Sequence, residues 1–481
     1  MKKTMYLTFI LFAGIIAFQS CEKNESLHQE YPEISEELNL KKGKVILVEP
    51  MGPAYDTENL LDAFAQARKM GPGATVKLAA GEFYLDYMVI ESFYGTFKGA
   101  GLDKTVVHTV PEGITLPVTS PYSEINPFLM EFVGGNVEVS HMSFDIDVEE
   151  PVQPFDWYTG GPATFLGAVL RVSGKSPENN AANSRFHHLS FKGLYVDLID
   201  FLPYNIDNCI LIGGGFEIYN FEGHHKIENC YFESVETAIN SIGSANGTIT
   251  IGGSPKKGNT VVNSNLGVLL FDSKNVHVKV SYNQMKDMQT YGGMWLEQGV
   301  VPPVYSMLDP GKSTFHVSNN SIHLAGNPGP DGGYWPDGIY IVDLIGRENT
   351  QEKSIFHIHK NHFSLTGGHQ TAINSYSTYG TFVNQNVIMG NSNLAIGLWG
   401  NDSNWKMIFN DFKNYEHGWT DIALGQNTHD NKVICETEHT SVADLSGENI
   451  VKGPAKRGKK MIPKHYQNSR KPNPFLPANI H

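Results

Sequence analysis

Between about Asn205 and Ile450 the hydrophobic pattern of the chain repeats. A short apolar strand leads into an Asn, a second apolar residue follows, and some ten residues later a small residue opens another apolar strand. The Asn positions are Asn208, Asn229, Asn265, Asn283, Asn320, Asn361, Asn386, Asn410 and Asn431. The gaps between them are 21, 36, 18, 37, 41, 25, 24 and 21 residues, so the long gaps read as the short period with a loop inserted. Short strands at such spacing predict a solenoid. The pattern apolar-x-x-Asn-x-apolar recurs at Val280–Asn283, Val317–Asn320, Ile358–Asn361, Val383–Asn386 and Met407–Asn410. Partner strands are predicted at Ala238–Ile242, Gly267–Phe271, Gly293–Glu297, Gly338–Val342, Ala372–Tyr376, Ala395–Trp399 and Asp421–Gly425. An Asn at the same corner of each coil can stack in a ladder, each amide bonding its neighbours. Asn also tolerates the left-handed backbone that a tight corner needs. Asn208-Cys209 and Asn229-Cys230, one period apart, fit two coils in register, with both thiols stacked in the core. A disulfide between them is the alternative in an oxidising compartment.

Upstream, Asp56 or Thr57 is placed to cap a helix running to about Met70, with Leu60, Leu61, Phe64 and Ala67 as its apolar stripe. Gly71-Pro72-Gly73 stops it. Ala74–Leu78 and Glu82–Leu85 follow as strands, and Val137–Phe144 and Ala168–Val172 read as coil strands. The loop Val148–Gly167 between them carries Phe155, Trp157, Tyr158 and Phe165, and a loop that long reads as functional.

These features together resemble the right-handed parallel β-helix of the pectin-lyase-like superfamily, over residues 45–451. The run Thr75-Val-Lys-Leu-Ala-Ala-Gly-Glu-Phe-Tyr and the later Gly99-Ala-Gly-Leu-Asp-Lys-Thr-Val-Val107 are similar to the first coils of that superfamily. There, an amphipathic helix plugs the open end, which otherwise exposes apolar core and unpaired strand edges. The resemblance implies an all-β fold and leaves the chemistry open, because one fold hosts many activities. Hydrolases of the polygalacturonase type carry Asn-Thr-Asp, Asp-Asp and Gly-His-Gly; this chain has neither of the first two, and its Gly-His pairs continue as Gly223-His224-His225 and Gly368-His369-Gln370. The Arg-x-Pro-x-x-Arg stretch of pectate lyases is also absent.

Candidate chemistry follows from strand alternation. Met294, Leu296, Ile339, Ile341, Ile373, Ile396, Leu398, Ile422 and Leu424 should face the core. The residues between them should face outward, with Trp295, Tyr340 and Asn374 in one exposed row and Glu297, Tyr376 and Trp399 beside it. Exposed aromatics in rows suit the apolar faces of sugar rings. The loop Asn327–Asp337, with Asp331, Trp335 and Asp337, and the turn bearing His369 rise next to them; Asp343 and His323 lie toward the same cleft. Glu297 with Asp337 or Asp343 would serve as the two carboxylates of a glycoside hydrolase. In a lyase, His369 or Tyr376 would be the base, and Ca²⁺ held by Asp331, Asp337 or Asp343 would neutralise a uronate carboxylate. His357, His359 and His362 lack a convergent Cys or carboxylate at zinc spacing and read as ladder or surface residues.

The ends and the charge set the setting. Met1–Cys21 reads as a signal segment: Lys2 and Lys3, an apolar Tyr6–Phe18 too short to span a membrane, then Phe18-Gln19-Ser20-Cys21. That ending resembles a bacterial lipobox, which implies lipidation of Cys21 and, with Glu22 after it, the outer membrane. Residues 22–44 are a polar, acidic tether. Of the chain's net −14, eight cations and no carboxylates lie in the Pro-rich tail 452–481, so the remainder carries −22. An acidic body argues against nucleic acid as partner. The expectation is a monomeric, lipid-anchored β-helix whose partner is a polysaccharide: a lyase or hydrolase on an acidic glycan, a glycan-binding or adhesion protein, or a spacer.

Overall fold

The structure is a computed structural model; it describes residues 44–111, 114–115, 128–146, 162–163, 168–173, 182–193, 214–219, 222–235, 237–289, 291–299, 311–325, 336–344, 353–435, 440–454 and 456–457. The Cys21 lipobox, the tether, the Val148–Gly167 aromatics, Cys209, Asp331, Trp335 and nearly all of the basic tail lie outside them. All the described residues fall in the unit Lys44–His481.

Every pairing in the large sheet is parallel, and each strand pairs with the equivalent strand one coil before and one coil after. The chain is therefore a parallel β-helix with three strands per coil; parallel crossovers in twisted sheets are right-handed. The first sheet runs through Phe128–Val133, Ala168–Ser173, Gly292–Gln298, Asp337–Asp343 and Thr371–Tyr376. The second runs through Thr314–Ser318, Ile355–His359, Phe382–Asn384 and Lys406–Ile408. The third runs through Gln284–Met288, Ser321–Leu324 and His362–Thr366. Inward residues make one continuous core that includes Met294, Leu296, Phe315, Val317, Ile339, Ile341, Phe356, Ile358, Ile373, Ile396 and Leu398. Rings stack in it from coil to coil, Phe144–Phe191 at 5.1 Å, Phe191–Phe232 at 5.0 Å and Phe315–Phe356 at 4.7 Å. Small residues open the first-sheet strands because the coils approach closely. A Cβ on Gly338 would fall 2.5 Å from the Ala372 carbonyl oxygen.

The Asn ladder exists, in a different register from the one expected. Asn259, Asn283, Asn320, Asn361, Asn386 and Asn410 form it: each Nδ2 donates to the next Oδ1 at 2.9–3.1 Å, and each Oδ1 also accepts the backbone N–H of the Asn before it. Asn265 and Asn229 are not in it. The left-handed corner is taken by the residue before the ladder position: His141, His188, Asn229, Tyr282, Asn319, Lys360, Gln385 and Phe409 all have φ between 52° and 62°. The ladder position thus passes through Met142, Leu189 and Cys230 before it becomes Asn259, and Cys230 N–H donates to Asn259 Oδ1 at 2.9 Å. Cys230 is a free buried thiol, pushed up to about 12 by burial. Asn431 belongs to a separate pair, with Asn449 at 2.9 Å.

The helix Asp56–Met70 lies on the first strands and buries Leu60, Ala63, Phe64 and Ala67, while Leu61 is exposed. Phe64 meets Phe93 edge-on at 5.1 Å. Asp56 does not cap the helix. Its carboxylate is buried and accepts the N–H groups of Met51, Gly52 and Tyr84, tying the helix start to the first coil.

Candidate functional site

Strand pairing puts the outward first-sheet residues in the expected rows. Trp295 lies opposite Tyr340, and Tyr340 opposite Asn374. Glu297 lies opposite Val342, Val342 opposite Tyr376, and Tyr376 opposite Trp399. The expectation that these rows are exposed is overturned. Trp295, Tyr340 and Trp399 are each 2 % exposed and Glu297 1 %, although their strand neighbours Met294, Leu296, Ile339, Ile341 and Leu398 already fill the core. The outward side therefore carries a second buried layer rather than an open aromatic platform. Tyr376 alone among these residues is half-buried.

Polar contacts hold this layer in place. Trp399 Nε1 donates to Asn374 Oδ1 at 3.0 Å, and Asn374 Nδ2 donates to Asp337 Oδ2 at 3.1 Å. Trp295 Nε1 donates to the Tyr291 carbonyl at 3.3 Å, and its ring meets Tyr340 at 5.2 Å. Trp399 packs with Leu394, Ala423 and Ala443, against which Tyr376, Trp419 and Leu445 lie partly buried. His369 sits at the rim, edge-on to Trp419 at 5.4 Å and 3.4 Å from the Asn393 amide. On the strand paired with Ser392, His417 Nδ1 and Asp421 Oδ1 are 2.8 Å apart.

The expected carboxylate pairs do not converge. Asp337 is in register with Gly292, five residues before Glu297 on the same strand, which separates the two along the strand by roughly 16 Å. That exceeds the spacing of either glycosidase geometry, about 5–9.5 Å. Asp343 is in register with Gln298, so alternation turns it away from Glu297, and its Oδ2 accepts the N–H of Ser354 at 2.9 Å. Asp337 and Asp343 stand six residues apart on one strand, roughly 20 Å, and cannot share a Ca²⁺ ion. Among the described residues no group of three or more His, Cys, Asp or Glu could hold a metal ion.

Two charged groups missed by sequence reasoning belong to the same side, and a third lies buried nearby. Glu131 and Arg171 lie opposite one another on adjacent first-sheet strands, between core residues Met130 and Phe132 and core residues Leu170 and Val172. They point outward and are nonetheless 0 % and 1 % exposed. Ser173 Oγ donates to Glu131 Oε1. The row that starts with them continues by register through Glu217, Asn240 and Leu269 to Trp295. Farther along, Asp402 lies buried beneath Trp399, and burial pushes its carboxyl up to about 7 even though it accepts from Ser375, Thr378 and the Trp399 N–H. Alternation between apolar neighbours was the signal that could have found Arg171.

No family model and no curated protein matches the sequence. Among solved structures the chain is similar to a DFA-IIIase from Arthrobacter chlorophenolicus without its lid (12 % identity, 87 % of this chain and 98 % of that one, TM-score 0.43). It is also similar to the A-module of a mannuronan C-5 epimerase from Azotobacter vinelandii (11 %, 82 % and 95 %, TM-score 0.34). A third is PfbA, a surface adhesin of Streptococcus pneumoniae (11 %, 78 % and 91 %, TM-score 0.36).

Proposed function

We propose that the chain recognises an acidic polysaccharide along the outward side of the first sheet and cleaves it by β-elimination. The observation that carries this reading is the buried, outward Arg171 beside Glu131, at one end of a row that ends in Trp295, Tyr340 and Asn374. The two residues keep a guanidinium and a carboxylate opposite one another on the non-core side of adjacent strands, the two groups an elimination next to a uronate carboxylate needs. From Arg171 to Asn374 the row climbs six coils, roughly 29 Å, enough for several sugar units.

In this reading the glycan displaces what covers Arg171 and Glu131, which are buried in its absence, so that the guanidinium faces the uronate carboxylate and makes the adjacent α-hydrogen more acidic. Glu131 takes that proton. The electron pair left on the α-carbon forms the double bond to the β-carbon, the glycosidic C–O bond breaks, and the leaving oxygen takes a proton from solvent. Tyr376 and His369, at the more open rim, position neighbouring units, and the buried Trp295, Tyr340, Asn374 and Trp399 hold that layer in place beneath them. The carboxylate separations above weigh against a hydrolytic pair. A binding protein without turnover is the second reading, favoured by the closed Asp337–Asn374–Trp399 network, which leaves Asp337 already engaged. Lipidation at Cys21 and an outer-membrane location are part of the proposal, and Cys21→Ser should release the protein into the soluble fraction.

The test is incubation of the chain from Glu22 onward with a panel of acidic and neutral polysaccharides. Ultraviolet-absorbing unsaturated ends on an acidic glycan support the lyase. Saturated reducing ends contradict it in favour of hydrolysis, and retention without any product makes this a binding protein.

A further inference from the structure

The second sheet carries a different outer face. From Thr248 to Lys452 its inward positions are apolar, among them Ile249, Val278, Val317, Ile358, Val383, Met407 and Val433. Along its outward positions, register aligns Thr250, Lys279, His316, His357, Phe382, Lys406 and Lys432 in one row. His277 and His359 stand beside that row, and Lys312, Lys353 and Lys360 occupy the turns that flank it. Among the described residues no Asp or Glu takes an outward position of this sheet over that span, in a chain whose 50 carboxylates outnumber its 36 Lys and Arg. Among the described residues, the turns of the last coils carry carboxylates at Asp430, paired with His429 at 2.9 Å, and at Glu448.

Three rings of this row stack face to face along the solenoid: His316–His357 centroids are 4.7 Å apart with planes 4° apart, and His357–Phe382 5.1 Å, while His277 beside the row meets His316 tilted at 4.9 Å. Lys406 Nζ lies 5.1 Å from the Phe382 centroid, and Lys353 Nζ 3.8 Å from that of Tyr379. Rings stacked in this way offer their edges to solvent, so the row presents N–H donors and ammonium groups rather than a flat aromatic platform. Like charges on neighbouring coils destabilise a sheet, and the crowding is visible: burial and then Lys312 hold the Lys353 ammonium below its ordinary range. Burial, followed by the neighbouring His357 and His277, lowers His316 to about 4.

We propose that this face is a second binding site, for a linear acidic polysaccharide lying along the solenoid axis with its carboxylates or sulfates on the Lys279–His316–His357–Lys406–Lys432 row. The coil-to-coil repeat of this row, 4.7–5.1 Å between stacked rings, is near the advance of one sugar unit in an extended chain, roughly the ~4.8 Å strand spacing. It is longer than the ~3.4 Å phosphate rise of a duplex strand, which disfavours nucleic acid. The site stands whether or not the first sheet turns its ligand over. It would hold a long chain to the protein while the first-sheet row engages another stretch.

The experiment measures binding of the full chain to polygalacturonate, heparin, dextran and duplex DNA, for the wild type and for Lys279→Glu/Lys406→Glu/Lys432→Glu. The three side chains are solvent-facing, and circular dichroism checks that the variant folds. The expected result is binding to polygalacturonate or heparin that weakens with salt and falls at least about tenfold in the variant, with dextran and DNA bound poorly. Carboxylate and sulfate sources are told apart by which of the two polyanions binds tighter. Polyanion binding unchanged in the variant, no binding by the wild type, or preference for DNA would each overturn the proposal. Product formation is read separately, so failure of this site and failure of the first-sheet chemistry are distinguishable.

Discussion

The first and second sheets are built by the same rule and end with opposite outer faces. In both, alternation sends every second residue outward and parallel register lines those residues up from coil to coil. On the first sheet the row is Glu131, Arg171, Asn240, Trp295, Tyr340 and Asn374, all buried. On the second it is Lys279, His316, His357, Phe382 and Lys406, all half-buried or exposed. The strands do not make the difference. The first-sheet row is shut off from water and the second is not, and a covered charge carries an energetic consequence that an open one does not.

That contrast can be broken most forcefully at matched cations. Arg171→Met, which leaves Glu131 buried opposite an apolar side chain, should lower stability by about 3–5 kcal/mol in chemical denaturation. If Arg171→Met costs nothing, the outward first-sheet charges are not sealed from water. Asn320→Ala touches neither row, at the corner between the second and third sheets, and removes the acceptor of the Asn283 N–H and Nδ2 groups and the donor to Val280; a loss of roughly 3 kcal/mol is expected. A pH-dependent effect, at most about 1.4 kcal/mol in any one pH unit, attaches to Asp402. Its folded carboxyl titrates near 7, above its unfolded value, so it contributes stability that is full at low pH and is lost as pH rises through about 7. Asp402→Asn should remove a slope of at most about 1.4 kcal/mol per pH unit between pH 4 and 7, read from melts across that range. At the small end, Lys279→Met on the open face should change stability by less than about 0.5 kcal/mol.

Much of this architecture was legible in the sequence, and the reasons are local. The rows Trp295–Tyr340–Asn374 and Tyr376–Trp399 follow from a period of two within each strand and a small residue at each strand start. Their burial was not legible, because alternation separates the core side of a strand from its outer side and does not say whether the outer side is open. The ladder was misregistered at Asn229 and Asn265: the left-handed corner and the stacked amide are adjacent positions, and Asn suits both. The coils around Arg171 gave no ladder signal because Met142 and Leu189 take the Asn position there. Asp343 looked like a free acid at a strand end, yet it is bonded to the turn that starts at Ser354, a contact between residues eleven apart that no periodicity announces.

The central claim, that the first-sheet row turns over an acidic glycan, is tested most directly by comparing product formation in Arg171→Lys with that in the triple lysine variant of the second face. Arg171→Lys keeps a charge but loses the planar two-pronged contact to a carboxylate. The account predicts unsaturated product from the wild type, at least about a hundredfold less from Arg171→Lys at saturating substrate, and near-normal kcat from the second-face variant. Wild-type turnover in Arg171→Lys, or no product from the wild type on any acidic polysaccharide, would contradict it.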